Sequence, residues 1–316
     1  MQSLRIAYAG TPEFAVPALQ AIMASQHTLV MVLTQPDRKS GRGRKIIETP
    51  VKQTVTSEKV KVFQPENVNS HEALDYIEKH HLDLLVVAAY GQIFSEALLN
   101  LPRLGCINIH ASLLPRWRGA SPIQQVLLAG EGETGITITQ MHKEMDAGDI
   151  WLQVDCPVSP VDTAQTLHDK LAALGAETIL PAIDLVSSGA SKPTPQISSK
   201  ASYCSKLKKS DGLIDWHETA EQIDRKVRAF HPWPGAFTYL NGHRIRIVST
   251  KICEHTHSDC LPGSIIGLTK FGISVATGSQ NLEITELVPE GRKCMSAKDF
   301  SNSTDLQNQK FEAPVN

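Results

Sequence analysis

The chain carries almost no excess charge of either sign. Its 316 residues have a formal net charge of -2, so whole-chain charge marks it neither as a nucleic-acid binder nor as an acidic protein. The balance is +1 from Ser205 onward and −3 before it, so any contact with phosphates has to come from local patches. No CxxC pair occurs among the six cysteines, Cys106, Cys156, Cys204, Cys253, Cys260 and Cys294. Scattered in this way they read as free thiols of a reducing compartment, not as a disulfide framework. No uninterrupted apolar run reaches membrane length. The first residues, Leu4-Arg5-Ile6-Ala7-Tyr8-Ala9-Gly10, read as a strand entering a turn and not as a charged leader with a cleavage site. A cytoplasmic location without membrane contact is the default expectation. The dinucleotide fingerprint G-x-G-x-x-G is missing, because Gly10 is followed by Thr11, Pro12, Glu13 and Phe14. That speaks against a nicotinamide cofactor. Gly41-Arg42-Gly43-Arg44-Lys45 lacks the Walker spacing, which speaks against ATP. Residues 253–260, CEHTHSDC, include metal-ligand types, but their spacing fits no familiar zinc pattern, and no metal is expected.

What the chain does have is enough length for two cores. Apolar residues make up 41% and charged residues 20%, the composition of a packed globular protein. Leu4 to Ala9, a helical spacing of Phe14, Ala15, Ala18, Leu19 and Ile22, and Leu29 to Leu33 form a strand–helix–strand unit, with Thr11 placed to cap the helix. Such a unit implies parallel strands in a doubly wound, Rossmann-like α/β sheet. The unbroken run Leu84 to Ala89 predicts a strand buried on both faces. Strands are expected at Cys106 to His110, Gly135 to Met141 and Trp151 to Val158, and a long amphipathic helix from a cap near Asp162-Thr163 to Val186. Residues 37–48 carry five basic residues and two glycines without hydrophobic period, and read as a mobile loop. The Ser- and Pro-rich stretch after position 187 reads as a linker, giving domains at 1–188 and 206–316 joined by 189–205. Beyond it, one helix at Thr219 to Phe230 is followed by a hairpin turning at Asn241-Gly242 and by several short strands. That pattern predicts a small C-terminal β-barrel of the oligonucleotide-binding type.

The candidate chemistry lies at the end of one strand. Asn108 and His110 are i and i+2, so they share a face about 6.6 Å apart, at the carboxyl end where open α/β sheets bind ligands. An Asn amide holds a developing oxyanion, and a His moves protons near neutral pH. The competing explanation is a polar pair that satisfies the loop's own backbone. Asp146, in Met145-Asp146-Ala147-Gly148-Asp149, is placed either to orient the imidazole or simply to close an Asx-turn. Arg116-Trp117-Arg118 suits stacking on a planar ligand, and equally an anchored loop.

The string Asn108-Ile109-His110-Ala111-Ser112-Leu113-Leu114-Pro115-Arg116-Trp117-Arg118-Gly119-Ala120 resembles the signature of the formyltetrahydrofolate-dependent formyltransferases. The likeness extends through Thr34-Gln35-Pro36-Asp37-Arg38, Tyr90-Gly91 and Asp146-Ala147-Gly148-Asp149 to Ile214-Asp215-Trp216 and Pro232-Trp233-Pro234-Gly235. It implies that the chain takes a formyl group from 10-formyltetrahydrofolate and places it on the α-amine of methionine carried by initiator tRNA. It implies a catalytic trio of Asn108, His110 and Asp146, and a folate-binding stretch at Ser112, Leu113, Leu114 and Pro115. The basic loop falls at the family's tRNA-contacting insertion, so Arg38, Arg42, Arg44 and Lys45, with Lys206, Lys208 and Lys209 after the linker, are the expected tRNA contacts. A bacterial cytoplasm and a monomer are the corresponding defaults. Ala111 stands where the family commonly has glycine, and Arg44-Lys45 departs from its usual basic run. Three other readings remain: formyl transfer to glycinamide ribonucleotide, hydrolysis of the formyl donor, and tRNA binding without catalysis.

Overall fold

A computed structural model describes residues 3–40, 45–253 and 260–313. In chain order the strands are β1 Arg5–Gly10, β2 Thr28–Leu33, β3 Arg38–Ser40, β4 Lys45–Ile47, β5 Lys61–Phe63, β6 Leu84–Ala88, β7 Cys106–His110, β8 Arg118–Gly119, β9 Glu133–Gln140, β10 Ile150–Pro157, β11 Tyr203–Cys204, β12 Ala236–Leu240, β13 His243–Ile252, β14 Ile265–Leu268, β15 Ile273–Val275, β16 Leu282–Pro289 and β17 Met295–Ser296. The helices are α1 Val16–Met23, α2 Pro50–Val55, α3 His71–Glu78, α4 Glu96–Asn100, α5 Pro122–Ala129, α6 Ala164–Ser188, α7 Ala220–Ala229 and α8 Ala297–Ser303. They divide into two compact units. The first comprises Met1–Pro122, Glu133–Pro157 and His168–Cys204; the second comprises Ile123–Gly132, Val158–Leu167 and Ser205–Asn316. Residues 189–204 group with the first unit.

The first unit is built on a seven-stranded sheet in the order β10-β9-β7-β6-β1-β2-β5. Pairings of β1 with β2 and β6, β2 with β5 and β6 with β7 are parallel, while β7–β9 and β9–β10 are antiparallel. The strand order reverses between β1 and β6, the switch point of a doubly wound sheet. All five residues of β6 are buried, as its unbroken apolar run requires. One sheet face carries Ala7, Ala9, Met31, Leu33, Leu85, Val87 and Cys106, packed with Ile77 of α3 and Leu98 of α4. The alternate residues Ile6, Tyr8, Leu84, Val86, Ile107 and Ile109 are buried on the other face. There α6 runs close over β7, since a Cβ added at Gly175 would lie 3.2 Å from Ile109. Each buried Leu or Ile side chain contributes roughly 1.5–3 kcal/mol by leaving water, so a one-residue slip of β7 would forfeit Ile107 and Ile109 together. By length and apolarity α6 could cross a bilayer, but Leu171, Ile179 and Ile183 are fully buried within the protein.

Two local expectations are corrected. Thr11 does not cap the first helix: a single turn of 3-10 helix at Glu13–Ala15 comes first, and α1 begins at Val16 with Pro17 in its first turn. Thr11 Oγ1 instead donates to Tyr90 O at 2.9 Å and accepts from Gln35 N at 3.3 Å, tying together segments that follow β1, β2 and β6. The basic loop has a strand-paired stem, because Arg38, Lys39 and Ser40 pair antiparallel with Ile47, Ile46 and Lys45. By contrast, the cap at the start of α6 holds: Thr163 Oγ1 accepts from Thr166 N at 3.2 Å.

The second unit is an antiparallel sheet in the order β12-β13-β16-β15-β14, with β17 against β16. Its hairpin turns at Asn241 and Gly242, both at positive φ, as the Asn-Gly pair requires. The two sheet edges are joined through the chain's end. Tyr239 on β12 bridges to Glu312, and Ser264 before β14 bridges to Lys310. Trp216 and Phe311 stack at 5.6 Å inside the resulting small barrel, whose core includes Ile245, Ile247, Ile273, Ile284 and Ile223 of α7. Helix α7 starts from a capping box of Thr219 and Gln222.

Candidate active site

The site lies in the first unit, where β7 ends. Because β7 pairs with β6 through Asn108 and Val87, and with β9 through Asn108–Thr139 and His110–Thr137, the two polar residues are held in a fixed register. The β9–β10 loop brings in Asp146, whose φ of 51° lies in the left-handed region. Its Oδ2 accepts from Gly119 N at 2.8 Å. Its Oδ1 lies 3.4 Å from Asn108 Nδ2, which donates to it, and 3.6 Å from His110 Nδ1. The His110 and Asp146 side chains are only 7% and 14% exposed, so charge between them is less screened than in water. Asn108 and Asp146, 38 positions apart in sequence, thus meet beside His110, and Asp146 turns its carboxylate to them instead of closing an Asx-turn.

The imidazole has a defined polarity. His110 Nε2 lies 3.0 Å from Trp117 O. A carbonyl can only accept, so Nε2 is the donor in this contact, and Nδ1 is the ring atom that faces Asp146. Trp117 presents that carbonyl from a strained backbone, with φ at 61°; a left-handed conformation costs a side-chain-bearing residue ~1–2 kcal/mol. Neighbouring bonds hold it there. Trp117 N donates to Ser202 Oγ at 2.9 Å, Arg118 N to Ser202 O at 2.9 Å, and Ala120 N to Cys204 O at 3.1 Å. Strands β8 and β11 pair in parallel across this contact. Glycine is required at 119, where φ is 118° and a Cβ would fall 2.1 Å from Cys204 O. The Cys204 thiol donates to Trp117 O and Arg118 O. Burial raises its pKa, with the Asp146 charge adding to the effect, so it remains a thiol and not a nucleophile.

The stretch expected to bind folate is partly scaffold. Ser112 is fully buried, and its hydroxyl donates to Arg116 O at 2.7 Å. Thr137 Oγ1 donates to Ser112 O at 2.6 Å and accepts from Leu114 N at 3.1 Å, while Gln153 Nε2 donates to Leu114 O at 2.9 Å. Leu113 and Pro115 are half-buried, and Leu114 is 3% exposed. Arg118 is likewise an anchor and not a stacking platform: it is buried, bonded to Gln196 Oε1, and packed over the Tyr203 ring. Thr137, Gln153, Gln196 and Ser202 frame the site although no local motif marks them. Among the expected tRNA contacts, Arg38 is largely exposed and meets Glu66 at 3.8 Å. Arg42 and Arg44 lie outside the described residues, and Lys45 is described in its backbone alone. Lys206, Lys208 and Lys209 are exposed on the second unit. No cluster of metal-ligating residues occurs among the described residues.

Residues 4–183 match the formyl transferase family, and residues 206–305 match the formyl transferase C-terminal domain. A methionyl-tRNA formyltransferase of Hydrogenovibrio crunogenus is 42% identical over 308 residues, 98% of this chain and 98% of that protein. Among solved structures, HypX from Aquifex aeolicus in complex with tetrahydrofolic acid superposes with a TM-score of 0.65 at 16% identity, covering 99% of this chain and 49% of that one. This chain therefore spans about half of HypX. WlaRD, a sugar 3N-formyl transferase, superposes with a TM-score of 0.65 at 17% identity over 93% of this chain and 100% of that one. At these identities the two structures share the fold alone. The chain belongs to the formyl transferase family.

Proposed function

We propose that the protein transfers the formyl group of 10-formyltetrahydrofolate to the α-amine of methionyl initiator tRNA in a bacterial cytoplasm, acting as a monomer without metal. The observation that carries the acceptor is the full-length likeness to a methionyl-tRNA formyltransferase; the observation that supports the chemistry is the convergence of Asn108, His110 and Asp146. The neutral amine attacks the formyl carbon, and a C–N bond forms as the carbonyl electrons move to oxygen. The second amide hydrogen of Asn108, not engaged by Asp146, points its donor capacity at that oxyanion; such a donor is worth ~2.7–4 kcal/mol of barrier. His110 Nδ1 takes the amine proton, and the resulting imidazolium draws in to Asp146, 3.6 Å away at rest. Collapse breaks the bond to the folate nitrogen, which receives the proton from His110, directly or through water. Formyl-methionyl-tRNA and tetrahydrofolate leave, and no covalent enzyme intermediate forms.

In this scheme Leu113 and Pro115 touch the folate, while Ser112 and Leu114 shape its pocket from within. Arg38, Arg42, Arg44, Lys45, Lys206, Lys208 and Lys209 contact tRNA phosphates. Offering a radiolabelled formyl donor with charged initiator tRNA, an amino sugar, glycinamide ribonucleotide or water separates the readings. Label is expected in formyl-methionyl-tRNA. Label in glycinamide ribonucleotide, an amino sugar or free formate at a greater rate overturns the assignment.

A further inference from the structure

We propose that Gln196 is a positioning residue for the transfer reaction, holding Asp146 at the angle His110 needs; the proposal rests on the transferase reading above. The Asp146 backbone is left-handed, at φ 51°, a sparsely populated conformation that surrounding contacts can fix. Gln196 supplies such contacts from 50 positions away. Its Nε2 donates to Asp146 O at 2.8 Å and to Gly148 O at 2.7 Å, using both amide hydrogens. Its Oε1 accepts from Arg118 Nε at 3.1 Å and Nη2 at 2.7 Å. The amide is thereby satisfied on both sides, and its orientation is fixed: a flip would set oxygen against two carbonyls and nitrogen against a guanidinium.

The side chain also joins two halves of the site. Arg118 lies one residue beyond Trp117, whose carbonyl orients His110 Nε2, and one residue before Gly119, whose N–H holds Asp146 Oδ2. Gln196 bonds to Arg118 on one side and to the Asp146 backbone on the other, so it sets the distance between the imidazole's support and the carboxylate. Thr194, two residues before it, exchanges two 2.8 Å backbone bonds with Ile150, where β10 begins. The segment that reads as a linker thus bonds to the residues around Asp146 and Trp117. Gln196 touches none of the three proposed reacting groups through its own side-chain contact with their functional atoms, so its effect is on geometry.

Gln196→Glu is the informative change. It keeps the size of the side chain and its pairing with Arg118, but sets a carboxylate oxygen against the Asp146 and Gly148 carbonyls. Single-turnover formylation by the full chain, with 10-formyltetrahydrofolate and charged initiator tRNA, should fall roughly 10–100-fold, as for a misplaced group. KM for tRNA and Kd for folate should stay within about twofold, since neither binding surface changes. Against an Asp146→Asn background the same change should cost less than about twofold, because the residue being positioned is gone. Gln196→Ala should show the same kcat-selective pattern. An unaltered rate in Gln196→Glu, or a loss that multiplies fully with that of Asp146→Asn, overturns the proposal. Failure of the wild-type chain to formylate charged tRNA would count against the transferase reading itself, and is read in the same experiment.

Discussion

The segment that follows β2 and the segment that follows β7 both leave the carboxyl edge of the seven-stranded sheet. The second is held at four residues from distant parts of the chain: Leu114 by Thr137, Trp117 by Ser202, Arg118 by Gln196, Gly119 by Asp146. The first is held at its stem. Lys52 of α2 pairs with Asp37 and with Glu48 at 3.1 Å, one on each side of the β3–β4 pairing, and Gln64 Nε2 donates to Asp37 at 2.8 Å. Farther along, Arg38 sits in the open beside exposed Glu66, a pair worth little in stability. The difference fits the two tasks proposed above for these segments. Proton transfer and oxyanion binding fail when groups stray by an ångström, whereas charges that meet a phosphate backbone act at longer range and tolerate movement.

Changes in the two segments should therefore separate chemistry from binding. The largest effect is expected for Asp146→Asn, which keeps the shape but removes the negative charge beside Nδ1: kcat should drop on the order of 10²–10⁴-fold with little change in folate affinity. Near-normal single-turnover rates would put Asp146 outside the mechanism. Next, Arg42→Ala should raise KM for tRNA while sparing kcat and folate binding, and should reduce the slope of log affinity against log salt by about 1. An unchanged slope would remove that arginine from the contact. Lys52→Met, which releases both Asp37 and Glu48, should raise the tRNA KM by a smaller factor and cost about 1 kcal/mol of stability or less. A fall in kcat instead would mean that the stem and the reaction site are not separable.

The smallest effect concerns pH. The Lys52 ammonium donating to Asp37 holds this carboxyl below the usual carboxylate range. A folded-state pKa below the unfolded one adds stability that is present above the unfolded value, ~3.9, and is lost as pH falls through the folded value. Asp37→Asn should therefore lower Tm slightly at pH 7, and the gap to wild type should close under acid. A gap that persists unchanged at low pH would assign the loss to packing.

How far the sequence revealed this arrangement depended on whether the signal was local. The parallel order of β1 and β2, the doubly buried β6 and the Asn241-Gly242 hairpin rest on periodicity and turn chemistry within a few residues. Asn108 and His110 share a face because β7 is a strand, and the resemblance of the 108–120 string supplied a chemistry that the i, i+2 spacing could not. The α2, α3 and α4 helices left little trace, being five to eight residues long. The strand pairing of 38–40 with 45–47 is hidden by charge. Gln196 and Ser202 were invisible for another reason: a Ser- and Pro-rich stretch reads as a linker wherever it goes, and only tertiary contact shows that it lines a site. Thr11 looked like a cap because its own residue type and the following proline fit one, yet it bonds across strands.

In the proposed reaction His110, oriented by the Trp117 carbonyl, moves the proton that lets the methionyl amine attack. Single-turnover formylation by His110→Ala, with folding verified by circular dichroism and folate binding by titration, tests it most directly. A loss of roughly 10²–10⁴-fold in the chemical step with folate still bound is the predicted result; near-wild-type chemistry in the folded variant would contradict it.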